Sequence, residues 1–194
     1  GGKLTGSGRD GKVPAGLKPV FVATSPALAE VVRDVNKYSN NVMAQQLFLT
    51  LALRQNGVAT FDGARAALRQ WWQARLGDTE PPAPENGAGL SRDARISAQA
   101  LARMLQLAWQ SPVMPELVSS LPIAGVDGTL RRSQSRAGTA HLKTGSLRDV
   151  MAVAGYVHAA SGRRYVLVAI VNHPQAGGAR PVLDAPAPRT ARDQ

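Results

Sequence analysis

Leu28, Val31, Val32 and Val35 recur at i, i+3, i+4 and i+7, the apolar stripe of an amphipathic helix. Ser25-Pro26 supplies an N-cap with proline at the first helical position, and the stripe runs to about Lys37. Tyr38-Ser39-Asn40-Asn41 breaks it. Val42 to Asn56 resumes as a helix so broadly apolar that burial on nearly all sides is expected, with Gly57 as the terminating residue. Asp62 can cap a third helix through Leu76, ended by Gly77. Residues 78–90 carry Pro and Gly without periodicity and read as loop. Ser97 caps a helix with Leu101, Met104, Leu105 and Ala108 on one face, stopped at Pro112, and a short helix is expected from Pro115 to Ser120.

After Leu121 the pattern changes from helical to extended. Met151 to Val157 and Tyr165 to Val171 are Val-rich apolar runs separated by His158–Arg164, the pattern of a β-hairpin buried enough to be central in a sheet. Lys143-Thr144-Gly145 opens the strand that feeds it. Residues 1–24, rich in Gly, Lys and Pro, read as strand fragments and loop. Helices followed by adjacent antiparallel strands give an α/β domain, and 194 residues suit one domain or the larger part of one.

Composition narrows the chemistry. There is no cysteine, which removes disulfides, thiol catalysis and zinc–thiolate sites. No apolar run is long enough to span a bilayer, and the first residues contain no signal-peptide core. The formal charge of +10 favours contact with polyanions. The arginines are scattered, however, aromatics make up only 5%, and no nucleic-acid-binding signature accompanies them. No nucleic-acid partner is therefore expected.

Two nucleotide- and metal-type candidates fail on inspection. Gly6 to Val13 approaches a phosphate-binding loop, but Val13 lacks the hydroxyl that would ligate magnesium, and Pro14 and Gly16 oppose the helix that must follow. His141, His158 and His173 lack metal-site spacing, so neither a metal nor another cofactor is expected. A third constellation is better placed. Ser39-Asn40-Asn41 stands between two helices, and Lys143-Thr144-Gly145 stands at a strand about a hundred residues later. S-x-N and K-T-G in this order accompany S-x-x-K in serine acyl-transfer enzymes. Capping alone also accounts for Ser39 and Asn41, and a surface lysine before a turn accounts for Lys143. None of the five lysines stands three residues after a serine, so this chain contains no S-x-x-K.

The blocks Val35–Ala44, Asn86–Arg92, Leu121–Leu130 and His141–Leu147 resemble the class C low-molecular-mass penicillin-binding proteins. These are D-alanyl-D-alanine carboxypeptidases and endopeptidases of the bacterial periplasm. The resemblance runs from about Val20 to Asp184. It implies the penicillin-binding/β-lactamase-like transpeptidase fold, an antiparallel sheet flanked by helices, incomplete in this chain. Residues 1–20 would end an inserted accessory region, 21–184 would form the C-terminal part of the transpeptidase-like domain, and 185–194 a disordered tail. Pro186 and Pro188 exclude the packed helix expected in that tail. One block departs from the family: Ala88 stands where serine is common.

By the same resemblance, an S-x-x-K serine outside this sequence would attack the D-Ala-D-Ala carbonyl. Ser39 would relay a proton to the leaving amine, Asn41 would orient the peptide, and Lys143 would hold positive charge beside them. Thr144 and Ser146 would bind the terminal carboxylate at the turn of Gly145, and the Ser146 N–H would complete an oxyanion hole. The strand after Lys143 would pair with the extended peptide. Peptidoglycan peptides and β-lactams are the implied ligands, the periplasm the implied location, and peripheral membrane association is left open. This chain alone is expected to be inactive. Alternatives are a non-catalytic peptidoglycan- or partner-binding scaffold of the same fold, a β-lactamase-like hydrolase, or a charge-driven polyanion binder.

Overall fold

The computed structural model describes residues 2–8, 10–133 and 135–184. The 185–194 tail reading lies outside the described residues. Helices α1 (Leu28–Tyr38), α2 (Asn41–Asn56), α3 (Phe61–Leu76), α4 (Ala98–Trp109) and α5 (Met114–Ser120) precede strands β1 (Ala140–Leu147), β2 (Val150–His158) and β3 (Arg164–Asn172), and α6 (Arg180–Asp184) follows. The three strands form an antiparallel sheet in the order β1-β2-β3, with Lys143 opposite Ala154 and Leu142 opposite Gly155. The α/β expectation holds.

Side chains alternate across this sheet and build a core on each face. On one face, Leu105 and Leu121 meet Tyr156, backed by Met104, Ala154, Val166 and Val168. The Tyr156 hydroxyl donates to the Leu105 carbonyl at 2.8 Å, and burial pushes its pKa up to about 12. On the other face, Ala140, Leu142, Val153 and Val157 pack with Ala124, Leu130 and Leu183. A third cluster joins α2 to α3 through Phe48, Ala52 and Ala64.

Several local expectations are corrected. α1 begins at Leu28 rather than Pro26, because Ala27 is still extended (φ −59°, ψ 149°) and its carbonyl takes the first helical bonds. The cap of α3 is Thr60, whose side chain accepts from the Gly63 N–H; Asp62 sits inside the first turn and pairs with Arg65. α2 is not buried all round: Val42, Leu51 and Leu53 are exposed at 71%, 45% and 48%, while only Phe48 and Ala52 are enclosed. β1 starts at Ala140, so Lys143-Thr144-Gly145 lies mid-strand rather than opening it. The strand fragments expected before residue 25 do not form among the described residues, where Val20, Phe21 and Val22 stand exposed without a pairing strand. Ser97 caps α4, accepting from the Ala100 N–H, and Gly57 closes α2 at φ 74°, as the sequence predicts. Among the described residues no helix is long and apolar enough to cross a membrane.

Candidate active site

The junction between α1 and α2 places the first group. Asn40, not Ser39, caps α2: its side chain accepts from the Met43 N–H at 3.1 Å. Ser39 takes the left-handed conformation (φ 54°, ψ 48°) that closes α1, which is uncommon for a residue bearing a Cβ. The helix ends therefore do not consume the Ser39 hydroxyl. It accepts instead from Lys143 Nζ at 2.6 Å, across 104 residues of sequence. Asn41 opens α2 at the same junction and is exposed.

β1 places the second group. Lys143 lies on the side of the sheet that faces the α1–α2 junction, and a second donor bond runs from its Nζ to the Thr144 carbonyl at 3.0 Å. Burial holds its ammonium below the usual lysine range. Alternation sends the neighbouring Thr144 the other way, where its hydroxyl meets that of Thr129 at 3.0 Å. Gly145 and Ser146 are exposed. Within the chain nothing crowds Gly145: a Cβ there would meet only the Ala152 Cβ, at 3.7 Å.

The outer edge of β1 is partly covered. Ala124 N–H donates to Ala140 O and Leu142 N–H to Pro122 O, each at 2.9 Å. Antiparallel alternation therefore turns the backbone groups of Thr144 and Ser146 outward as well, past the point where the 122–124 segment ends. An open edge of this kind accepts an added extended peptide. Beside it, on the Thr144 face of the sheet, lies a cavity of about 390 Å³ whose lining joins the apolar Leu130, Leu142, Val153 and Leu183 to Thr129, Arg132, Ser133, Thr144, Ser146 and Arg180; Ser39, Asn41 and Lys143 do not line it. Hydroxyls and two guanidinium groups in one cleft suit a carboxylate. Spacing gave no signal for Thr129, Arg132 or Arg180. Thr129 lies inside a block quoted for its resemblance, and the two arginines are indistinguishable in sequence from the scattered surface charge.

The remaining polar residues support these elements. Asn86 Oδ1 accepts from the Ala88 and Gly89 N–H groups at 3.0 Å each, which shapes that loop through backbone donors that survive the serine-to-alanine departure at residue 88. Arg92 donates to the Arg148 carbonyl and pairs with Asp149, tying the same loop to the β1–β2 turn. His141 and His158 stack with centroids 5.2 Å apart. Burial lowers the pKa of both; Lys37 adds to this at His141, and Arg164 and the neighbouring ring add to it at His158. His173 lies beyond β3 and accepts from the Gln175 N–H. Among the described residues no cluster of three or more His, Asp or Glu side chains is placed to hold a metal.

Comparison with known proteins agrees with this architecture. The chain is 32% identical over 181 residues to a carboxypeptidase of Mycobacterium tuberculosis, covering 89% of this chain and 39% of that protein. It is 31% identical over 193 residues to a D-alanyl-D-alanine carboxypeptidase of an Actinomadura species, covering 93% of this chain and 36% of that protein. The chain thus spans less than half the length of these curated relatives. In structure it is similar to penicillin-binding protein 4 of Haemophilus influenzae in complex with a β-lactam, with a TM-score of 0.70 and 26% identity over 75% of this chain and 35% of that one. A predatory endopeptidase of Bdellovibrio bacteriovorus shares the fold at a TM-score of 0.63 and 20% identity, covering 81% of this chain and 40% of that one. The family match extends over residues 1–193, well beyond the four blocks that first suggested it, and places the chain in the D-Ala-D-Ala carboxypeptidase 3 (S13) family.

Proposed function

We propose that this chain forms the substrate-binding and proton-relay part of a periplasmic serine D-Ala-D-Ala carboxypeptidase or endopeptidase acting on peptidoglycan stem peptides through an acyl-enzyme. The observation that carries the reading is the 2.6 Å contact between Lys143 Nζ and Ser39 Oγ, which joins the S-x-N and K-T-G segments into one site. The nucleophile belongs to an S-x-x-K segment outside this sequence. Its attack passes the serine proton to the lysine of that segment, forms a serine ester and breaks the peptide bond, and the departing amine must gain a proton as the carbon–nitrogen bond opens. Lys143 donates to the Ser39 oxygen, so the Ser39 proton is left to point at that amine. As it transfers, the Lys143 ammonium replaces it. The partial burial that lowers the Lys143 pKa makes this replacement easier.

Substrate binding follows from the open edge. An extended stem peptide adds alongside Thr144 and Ser146 and presents its C-terminal carboxylate to their hydroxyls, with Thr129 holding the Thr144 hydroxyl in place. Arg132 and Arg180 raise the local attraction for an anion. Asn41 offers its side-chain amide from the opposite wall. The outward Ser146 N–H supplies one oxyanion donor, and the nucleophile's own N–H supplies the second; one such donor is worth roughly a hundred- to a thousand-fold in rate.

The test uses the longer polypeptide that contains this chain. It should release D-Ala from a peptide ending in D-Ala-D-Ala and hold penicillin as a slowly hydrolysed adduct. Rapid penicillin turnover with the peptide untouched would favour a β-lactamase-like hydrolase. Peptide binding with neither reaction would favour the scaffold reading.

A further inference from the structure

Lys37 is the most enclosed charged side chain among the described residues, 3% exposed, yet the relay and the substrate contacts do not use it. It lies in the last turn of α1, two residues before Ser39. Its Nζ donates to the Leu121 carbonyl and to Asp127 Oδ2, each at 2.6 Å. The other carboxylate oxygen of Asp127 accepts from the Ile123 N–H at 2.8 Å. The adjacent Asn36 amide donates to Ser120 Oγ at 2.7 Å, a second tie to the same region. Backbone packing here is equally close: Gly128 is in the left-handed region (φ 55°), and a Cβ on it would lie 2.7 Å from the Lys37 carbonyl oxygen.

The segment that receives Lys37 is the one that grips β1. Pro122 and Ala124 bond to Leu142 and Ala140 immediately before Lys143, and Thr129 meets Thr144 immediately after it. A continuous path therefore runs from the end of α1, through the Lys37–Asp127 pair, to both residues flanking Lys143. We propose that Lys37 and Asp127 are a positioning pair that locks the end of α1 to the 121–130 loop and so holds the Ser39 hydroxyl against Lys143 Nζ. The inference rests on the functional reading above only in taking the Ser39–Lys143 contact to be the working relay. The burial of Lys37 agrees with this role: a charge is taken out of water only where carboxylate and carbonyl partners replace its hydration, and such pairs specify geometry more than they stabilise.

Removing Asp127 alone would leave Lys37 buried without its carboxylate, so the informative variant removes both charges: Lys37→Met with Asp127→Asn, which retains an oxygen for the Ile123 N–H. These 194 residues hold only five lysines, so NMR of the lysine ε-carbons of this chain follows each titration separately, with Lys143→Arg assigning the signal. In the unaltered chain Lys143 should titrate below 10.5, the ordinary lysine value. In the double variant, with helical circular dichroism retained, it should return toward that value as Ser39 drifts away and water reaches the ammonium. A folded double variant whose Lys143 stays as depressed as before would overturn the positioning role while leaving the functional reading intact. A Lys143 that titrates normally in the unaltered chain would show that its ammonium is not held out of water, and would overturn the half-buried Ser39–Lys143 site on which both claims rest.

Discussion

Replacing Lys143 by Met should slow acylation of the longer polypeptide, by penicillin or by a D-Ala-D-Ala peptide, by roughly a hundred- to ten-thousand-fold, the usual span for losing a positioned proton donor. The same change should leave the stability of this chain unchanged or raised. Burial sets the Lys143 pKa below its unfolded value of 10.5. Between those two values the unfolded chain binds the extra proton, so stability is lost as pH falls through that window. At neutral pH the whole cost of holding the half-buried ammonium is therefore present, and Met removes it. The groups that lose their donor, Ser39 Oγ and the Thr144 carbonyl, belong to half-buried residues at the open edge, within reach of water. Stopped-flow acylation and a thermal melt at pH 7 separate the two effects. Loss of activity caused by unfolding, or an unaltered rate, would contradict the assignment.

Gly155→Ala should do the reverse and break the fold before any chemistry is tested. Gly155 faces Leu142 in the β1–β2 ladder at φ 151°. A Cβ there would lie 2.2 Å from the His141 carbonyl oxygen and 3.0 Å from the Leu142 Cα. Both neighbours are backbone, so relief requires β1 to move away from β2, carrying Lys143 with it. A cost of about 3 kcal/mol or more is expected, at the upper end for a small-to-large change, which lowers the melting temperature by on the order of 10 °C in a chain this size. Gly145→Ala is the matched control in the same strand pair. Its Cβ would meet only a methyl group at ordinary contact distance, so the melting temperature should hold. Equal losses in the two variants would contradict the pairing of Leu142 with Gly155.

What the sequence revealed follows the range of the forces involved. Short-range signals were legible: Ser97 and Gly57 mark helix ends through bonds made within a few residues, and the Val-rich runs of β2 and β3 declare a sheet by composition. Where a boundary depends on tertiary contact, local pattern was insufficient. Ala140-His141-Leu142 belongs to β1 because it pairs with Gly155–Val157 of β2 on one side and with the 122–124 segment on the other, and nothing in those three residues announces a strand. The burial expected around α2 assumed a partner for every apolar face, whereas Val42, Leu51 and Leu53 stay exposed among the described residues.

The candidate site divides the same way. Ser39, Asn41 and Lys143–Ser146 were identifiable because two short motifs stand in a meaningful order. The left-handed turn that frees the Ser39 hydroxyl, and the Asn40 cap that makes that turn possible, were not. Thr129 and the Lys37–Asp127 pair act across 15 and 90 residues of sequence, and no spacing rule brings such partners together. These distant contacts convert motifs into geometry.

In the proposed reading, this chain supplies the relay and the substrate-binding edge while the attacking serine lies elsewhere. The most direct measurement is mass-spectrometric mapping of a labelled penicillin after reaction with this chain and with the longer polypeptide. No covalent label is expected on any serine of residues 1–194, and one label is expected on the serine of an S-x-x-K segment outside them. A penicillin ester on Ser39, or on any other serine of this chain, would contradict it.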